Sequence, residues 1–333
     1  MLRFSRSKLT QLVSTLAIAL VGTLASLNVQ AQSQDYPNRS IKFLVPYSAG
    51  TTTDVIARLY AQKLGDILGQ TVVVDNKSGA GGNISADATA KAAPDGYTLS
   101  FSTSATHATN PALYANIPFD PIKDFTHIAL MVAAPNMLAI NPKIPATNMA
   151  ELIAYAKANP GKVSYGSSGV GSAAHLASEL LAHTAGIEMV HIPYKGTAPA
   201  LADLVANNIQ MLVDVPSSMM PHVNSGKING IGMFAKDRLP AAKDVPTLPE
   251  SGGPAIEASS WVMFLAPGNT PPDIVNKLSQ AVHEVVESPE LKARFIELGI
   301  IPVGSSSAEA TAFLKDEIQK WGQVIKTANV KPE

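Results

Sequence analysis

Small and hydroxyl-bearing residues are concentrated in loops that follow predicted strands, where backbone amides and hydroxyl groups could bind an anion. The first such loop, residues 47–54, reads Tyr-Ser-Ala-Gly-Thr-Thr-Thr-Asp and leads into a helical pattern. Glycine and alanine let a ligand approach the backbone, the threonines can cap the helix, and free amides at a helix N-terminus favour negative charge. An ordinary capped turn between a strand and a helix would use the same residues, so both interpretations stay open.

Two further loops of the N-terminal half carry similar groups. Residues 78–83 read Ser-Gly-Ala-Gly-Gly-Asn, which suits a structural turn and a binding loop equally. They fit neither a dinucleotide-binding fingerprint nor a phosphate loop. Residues 102–107 follow a third predicted strand and offer hydroxyls with one imidazole, His107. A single histidine in such a loop is more often a structural hydrogen-bonding residue than a catalyst.

The C-terminal half supplies a matching set of loops. Residues 166–172 read Gly-Ser-Ser-Gly-Val-Gly-Ser and precede the helix that carries His175. No serine there has glycine at both −2 and +2, so the segment is not a nucleophile elbow. We interpret it as a second helix N-terminus that can hold an anion. Tyr194 and Asp214 lie at the ends of two further predicted strands and could complete the wall of a cleft.

These residue types favour reversible binding over catalysis. The chain has no cysteine, and the spacing of eight between His175, His183 and His191 matches no zinc motif. No linked nucleophile, base and orienting group is evident. We therefore predict no catalytic residue, no metal and no cofactor. A periplasmic hydrolase that uses Ser168 or Ser172 with His175 is a less favoured alternative.

The predicted ligand-binding residues are those of the loops described above, at the carboxyl ends of the predicted strands. They are Tyr47, Ser48, Ala49, Gly50, Thr51, Thr52, Thr53, Asp54, Gly82, Ser102, Ser104, His107, Ser167, Ser168, Gly169, Val170, Gly171, Ser172, His175, Tyr194 and Asp214.

Two successive α/β units are predicted to position these loops. From Ile41 the chain alternates short apolar runs with segments of helical period in a βαβαβ order, which is typical of a parallel sheet. The alternation restarts after Pro145, and the last 60 or so residues are helical and expected to pack on the first unit. We predict crossing strands near 128–140 and 259–266. Lobe 1 is then residues 32–133 with 260–333, and lobe 2 is residues 134–259.

The N-terminus and the composition indicate an exported protein. Residues 1–31 combine Arg3, Arg6 and Lys8 with an apolar stretch and a small-residue cleavage pattern, which predicts a signal peptide and a periplasmic location. Lys plus Arg is 25 and Asp plus Glu is 26, with no basic run, so nucleic acid is not an expected partner. Met219, Met220 and Trp261 are interpreted as core residues, not as ligand contacts.

Several motifs together resemble those of Bug-type (Bordetella uptake gene) solute receptors, the extracytoplasmic receptors of the tripartite tricarboxylate transporter family. They are Pro-Tyr-x-Ala-Gly-x-x-x-Asp-x-x-Ala-Arg at 46–58, Asn-Lys-x-Gly-Ala-Gly-Gly-Asn at 76–83, Ala-Pro-Asp-Gly-Tyr-Thr at 93–98 and His-x-Pro-Tyr-Lys-Gly-x-Ala-Pro-Ala at 191–200. The resemblance covers essentially all of the chain after residue 31. The first loop departs from the usual Pro-Ala-Gly-Gly-Pro, since positions 48–52 here are Ser-Ala-Gly-Thr-Thr.

The resemblance implies a periplasmic-binding-protein (Venus flytrap) fold, in which two α/β lobes close by a hinge on a small carboxylate. It implies that residues 48–54 hold a ligand carboxylate largely through backbone amides, and that residues 166–172 with Asp214 face it. It also implies that the chain delivers its ligand to membrane permease subunits. A monomer is the default expectation for its oligomeric state. A ligand-dependent periplasmic sensor component is the alternative, because the ligand chemistry would be the same.

Overall fold

Two mixed sheets form the framework of the chain. The computed structural model describes residues 36–332, so the predicted signal peptide lies outside the described residues. The first sheet has the strand order β11–β4–β10–β3–β1–β2 and the second the order β7–β6–β8–β5–β9. The strands are β1 (Ile41–Val45), β2 (Val72–Asn76), β3 (Thr98–Thr103), β4 (Phe125–Pro135), β5 (Met137–Ile140), β6 (Val163–Ser167), β7 (Met189–Pro193), β8 (Met211–Asp214), β9 (Asn229–Met233), β10 (Ser259–Pro267) and β11 (Ile301–Pro302).

Helices cover the faces of these sheets. They are α1 (Thr52–Leu68), α2 (Asn83–Ala90), α3 (Asn110–Leu113), α4 (Met149–Ala158), α5 (Ala173–Ala185), α6 (Thr197–Ala206), α7 (Pro216–Asn224), α8 (Pro272–Glu287), α9 (Pro289–Glu297) and α10 (Ser307–Thr327). We call the first sheet with its helices the first lobe, and the second sheet with its helices the second lobe. This two-lobed α/β architecture is the fold class predicted from the sequence.

The direction of the strands explains where the loops lie. β1 pairs in parallel with β2 and β3, as the βαβαβ pattern predicts. β10 is antiparallel to both β3 and β4, because β4 leads towards the second lobe and β10 returns from it. In the second sheet β6 is parallel to β7 and β8. The loops after β1, β3, β6 and β8 therefore all leave the carboxyl ends of parallel strands.

The two crossings between the lobes are joined to each other by backbone hydrogen bonds. Asn136 is the single residue between β4 and β5, and its N–H donates to the carbonyl of Ala258 at 3.0 Å. Ala258 N–H donates to Phe234 at 3.1 Å, and Phe234 N–H donates back to Asn136 at 2.9 Å. The crossings predicted near 128–140 and 259–266 correspond to the end of β4 with β5 and to β10. The predicted lobe boundaries at 133/134 and 259/260 stay a prediction.

The helix ends follow capping chemistry that the sequence carries. Thr51 caps α1 by accepting a hydrogen bond from Asp54 N–H, and Ser172 caps α5 in the same way from His175 N–H. α1 and α5 end at Gly69 and Gly186, both in the left-handed conformation that glycine adopts without strain. The C-terminal helices pack on the first lobe as predicted, with α8 and α10 both against β4.

One segment that the sequence analysis treated as a loop is helical. β3 continues to Thr103, and residues 105–109 form a π-helical segment that runs into α3. Thr106 explains the difference, because its hydroxyl accepts from Thr103 N–H at 3.1 Å and donates to the Thr103 carbonyl at 3.0 Å. Met219 and Trp261 are buried, as predicted for core residues. Among residues 36–332, no helix has the length and apolar character needed to cross a membrane.

Candidate functional site

A cavity of about 320 Å³ lies between the two lobes and is lined by residues from both. None of the described residues that line it carries a charged side chain. Seven lining residues bear hydroxyls, namely Tyr47, Thr53, Thr103, Ser104, Ser172, Ser217 and Ser260. The other ten are apolar, namely Ile56, Ala105, Val132, Ala134, Ala173, Val215, Trp261, Val262, Leu298 and Ile300.

Helical N-termini from both lobes converge on this cavity. The first turn of α1 contributes Thr53, and the start of the π-helical segment contributes Ser104 and Ala105. From the second lobe, α5 begins at Ser172 and Ala173, while α7 begins beside Val215. Free backbone amides at such ends carry partial positive charge, so the cavity favours an anion without any cationic side chain.

The first loop is held in place by the buried carboxylate of Asp54. One of its oxygens, Oδ2, accepts hydrogen bonds from Gly50 N–H at 2.9 Å and from Arg58 Nε at 3.0 Å. The other, Oδ1, accepts from the Asn76 side-chain amide at 2.9 Å. The hydrogen bond from Arg58, reinforced by those from Gly50 and Asn76, lowers the pKa of Asp54 to about 2. Asp54 does not line the cavity, so we assign it to positioning the loop.

Asp54→Asn is expected to lower the free energy of unfolding by roughly 1–3 kcal/mol at pH 7, because it weakens several hydrogen bonds to a buried charge. The folded-state pKa lies below the ordinary value of 3.8, so this stabilisation is complete above about pH 4 and is lost as pH falls towards 2. Urea unfolding between pH 2 and 7 should show the wild type approaching the variant in that window. The exposed Asp66→Asn change on the same helix is the control, and a constant gap down to pH 2 would contradict this assignment.

Ser102 and His107 are structural and do not reach the cavity. His107 is fully buried, and its Nδ1 lies 2.6 Å from Ser102 Oγ and 2.9 Å from Thr106 Oγ1. Its ring packs against Phe119 and Phe125. Burial lowers the pKa of His107 to about 3, which keeps the imidazole neutral. Of the loop predicted at 102–107, Ser104 is the predicted residue that lines the cavity.

The glycine-rich loop of the second lobe brings Ser172 to the cavity and Gly171 to the opposite lobe. Gly171 has φ +75°, and a Cβ at this position would lie 2.5 Å from Leu113 Cδ2 in the first lobe. Ser168 is exposed, whereas Ser167 is fully buried and its hydroxyl donates to the Gly169 carbonyl at 3.1 Å. Gly169 and Val170 connect these serines to Gly171 and do not line the cavity.

A stacked histidine pair lies behind this loop. The rings of His175 and His191 are 3.8 Å apart between centroids, and His191 Nε2 is 2.7 Å from Ser167 Oγ. Burial lowers the pKa of His191 to about 4, so this imidazole is neutral. His175 Nδ1 accepts from Gly171 N–H at 3.0 Å. Through these contacts with Ser167 and Gly171, the histidine pair stabilises the conformation of the loop 166–172.

This arrangement bears on the hydrolase alternative. Ser172 Oγ accepts from the backbone N–H of His175 at 3.2 Å, so it caps α5 and is not held by the imidazole. The serine that does contact an imidazole is Ser167, which sequence reasoning did not pair with His191. Ser167 and His191 lie on neighbouring parallel strands, whose register is not evident from the sequence. The Ser167 side chain has no exposure through which a substrate could reach it.

Tyr194, Asp214 and Gly82 are not among the residues that line the cavity. Tyr194 donates to Asp203 Oδ2 at 2.6 Å. Asp214 accepts hydrogen bonds from the Thr197 hydroxyl and from Val215 N–H, and burial raises its pKa. Gly82 has φ +93°, and a Cβ there would lie 2.4 Å from Thr106 Cγ2. Ser48, Ala49, Gly50 and Thr51 are exposed in the first loop, and Thr52 begins α1.

The structure thus brings together four predicted residues, Tyr47, Thr53, Ser104 and Ser172. The set of predicted residues omits Thr103, Ser217, Ser260 and the apolar wall, which includes Trp261, a residue predicted not to contact the ligand. Thr103 lies within the predicted loop 102–107, and Ser217 lies in the segment 214–218, which the sequence suggests as part of the cleft wall. Within residues 36–332, no group of three or more His, Cys, Asp or Glu side chains could hold a metal ion.

Comparison with known proteins identifies what the chain is similar to. Residues 56–330 match the family described as Tripartite tricarboxylate transporter family receptor. The chain is 35% identical over 324 residues to Protein BugT of Bordetella pertussis, covering 97% of this chain and 99% of that protein. It is also similar to the solved structure of R. palustris Rpa4515 with adipate (36% identity, TM-score 0.77, covering 90% and 100%). MatC from Rhodopseudomonas palustris with bound malate is similar as well (30% identity, TM-score 0.72, covering 87% and 100%).

Proposed function

The chain belongs to the family of tripartite tricarboxylate transporter receptors, and from this premise we propose that it captures a small organic acid between its lobes. The observation that carries the proposal is the uncharged cavity at which helical N-termini from both lobes meet. A carboxylate there can accept hydrogen bonds from backbone amides and from the hydroxyls of Thr53, Ser104 and Ser172. The adipate and malate in the two similar structures support a carboxylate as the ligand class.

The residues of this cavity favour capture and release of the ligand without chemical turnover. Turnover of an acid or ester would need a nucleophile, a base and an orienting group at the reacting atoms. The described cavity residues offer hydroxyls but no imidazole or carboxylate to activate them. The Ser167–His191 pair is buried behind the loop. We therefore assign no catalytic role to any residue.

A receptor that captures a ligand in this way would serve as the first component of a transport system. The predicted signal peptide at 1–31 would deliver the chain to the periplasm, where it binds its ligand as a monomer. The crossings at Asn136 and Ala258 are the narrow connection about which the lobes close. The liganded form then passes its acid to the permease subunits of a tripartite tricarboxylate transporter.

Ligand binding is tested by thermal shift and calorimetry on the full chain. The probes are succinate, malate, adipate, hexanoate and benzoate, each with its uncharged amide as the matched control. An acid present at 100 times its dissociation constant should stabilise the native state by about 2.7 kcal/mol and raise the melting temperature, whereas its amide should not. If no carboxylate raises the melting temperature, the proposal is wrong.

Thr53→Val is expected to weaken binding of the tightest acid about tenfold, because it removes one hydroxyl hydrogen bond to a buried charge at nearly constant side-chain volume. Calorimetry measures the change in dissociation constant. Thr327→Val, an equivalent change at an exposed position of α10 away from the cavity, is the control and should leave affinity unchanged. If Thr53→Val and the wild type bind the acid with equal affinity, the Thr53 hydroxyl does not donate a hydrogen bond to the ligand.

A further inference from the structure

Across the neighbouring strands β3, β10 and β4, the side chains that line the cavity change from polar to apolar. Thr103 of β3 is paired with Val262 of β10, and Val262 is paired with Val132 of β4, so the three side chains form one row on the same face. Adjacent strands are about 4.8 Å apart, so the row extends roughly 10 Å from its hydroxyl to its last valine. In the next row Ser260 of β10 is polar and Ala134 of β4 is apolar, so there the change from polar to apolar falls between β10 and β4.

Several of the cavity hydroxyls lie at the Thr103 end of this row. Tyr47 Oη lies 3.2 Å from Thr103 Oγ1, and Ser104 follows Thr103 in the chain. The start of α5 at Ser172 reaches the same end from the second lobe, where Gly171 approaches Leu113. A carboxylate at this end has amide and hydroxyl donors from both lobes.

The opposite end is mostly apolar and is closed by a second contact between the lobes. Beyond β4 lie Leu298 and Ile300, on either side of Gly299. A Cβ at Gly299 would lie 3.2 Å from Pro216 Cβ, so this end meets the start of α7. Val215 and the hydroxyl-bearing Ser217 line the cavity on either side of Pro216.

The helix end at this apolar side already has an anion beside it. The Asp214 carboxylate accepts from Val215 N–H at 2.7 Å and from the Thr197 hydroxyl, directly before α7 begins. Its charge compensates the positive end of the helix. A second ligand carboxylate here would meet one lining hydroxyl, that of Ser217, among apolar side chains, with the Asp214 carboxylate adjacent to the lining residue Val215. Burial of a carboxylate with so few donors beside another carboxylate is unfavourable.

We propose that this receptor selects acids with a single carboxylate and an apolar body that extends up to about 10 Å from it. The carboxylate lies at the Thr103 end, and the apolar body lies along Val262, Val132, Leu298 and Ile300. This inference rests on the proposed function, because it specifies the acid class that the same cavity takes.

Two pairs of acids that differ by one terminal carboxylate test it on the full chain by calorimetry at pH 7.5. The pairs are hexanoate with adipate and benzoate with terephthalate. The monocarboxylate of at least one pair should bind tenfold or more tightly than its dicarboxylate. If neither pair shows this tenfold preference while a dicarboxylate such as adipate, terephthalate or malate binds, the inference is wrong and the carboxylate receptor stands. If no carboxylate binds, the proposed function itself is wrong.

Leu298→Lys provides an independent test, since it introduces a cation at the apolar end from a half-buried position. It should shift the ratio of hexanoate to adipate affinity at least tenfold towards adipate. Ile296→Lys is the matched control, because Ile296 is exposed on α9 and does not line the cavity. An unchanged ratio in Leu298→Lys, with the protein folded by circular dichroism, would contradict the placement of the apolar body.

Discussion

Gly171→Ala is expected to weaken acid binding about tenfold or more while the protein stays folded. A Cβ at this position would lie 2.5 Å from Leu113 Cδ2, and Leu113 belongs to the opposite lobe and is almost fully buried. The clash therefore acts where the lobes meet beside the polar end of the cavity. Overpacking costs typically 1–3 kcal/mol, and each 1.4 kcal/mol in the bound geometry reduces affinity tenfold. Calorimetry with hexanoate or adipate, whichever binds the wild type more tightly, measures the change.

Gly171 also has φ +75°, so alanine introduces local strain as well as the clash. The double variant Gly171→Ala with Leu113→Ala separates the two effects. If contact between the lobes limits binding, removal of the Leu113 side chain restores most of the lost affinity. If strain in the loop alone is responsible, the double variant binds no better than the single one. An unchanged affinity in Gly171→Ala would show that the lobes do not approach each other here in the bound state.

Periodicity and capping residues are sufficient to predict most of the fold. For example, the apolar periodicity before Asn159-Pro160-Gly161 predicts a helix over about 148–158. The structure has this helix at Met149–Ala158, capped by Asn148 at its start. The main error concerned the predicted loop 102–107, whose serines and threonines are typical of a loop but which ends β3 and begins the π-helical segment. Local hydrogen bonds of Thr106 stabilise a helix there, as does the burial of His107 against Phe119 and Phe125. The packing of His107 depends on residues outside the local sequence.

The candidate site was harder to predict than the fold. Its polar half follows strand ends, so Tyr47, Thr53, Ser104 and Ser172 could be identified from position and residue type. Its apolar half could not, because Val132, Leu298 and Ile300 have the same sequence pattern as core residues. They line the cavity only because β10 returns antiparallel between β3 and β4, and that pairing follows from the two crossings. Ligand selectivity therefore depends on strand order, which residue periodicity does not specify.

Glu317→Ala is expected to cause the largest loss of stability, roughly 2–5 kcal/mol, because it leaves two buried indole N–H groups without an acceptor. Glu317 Oε2 accepts from both Trp261 Nε1 and Trp321 Nε1, each at 2.8 Å. Trp261 belongs to the crossing strand β10 and lines the cavity, while Trp321 belongs to α10. The carboxylate therefore joins the C-terminal helix to the strand that returns from the second lobe. Urea unfolding monitored by tryptophan fluorescence measures the loss.

Glu317→Gln is the matched control, because a glutamine carbonyl oxygen has two lone pairs and can accept from both indoles. It should retain most of the stability that Glu317→Ala loses. The Lys320 ammonium, which pairs with Glu317, is partly exposed and can be solvated in either variant. A loss in Glu317→Gln as large as that in Glu317→Ala would mean that the negative charge, and not the acceptor, stabilises this junction. Because Trp261 also lines the cavity, Glu317→Ala should weaken acid binding as well, whereas Glu317→Gln should not.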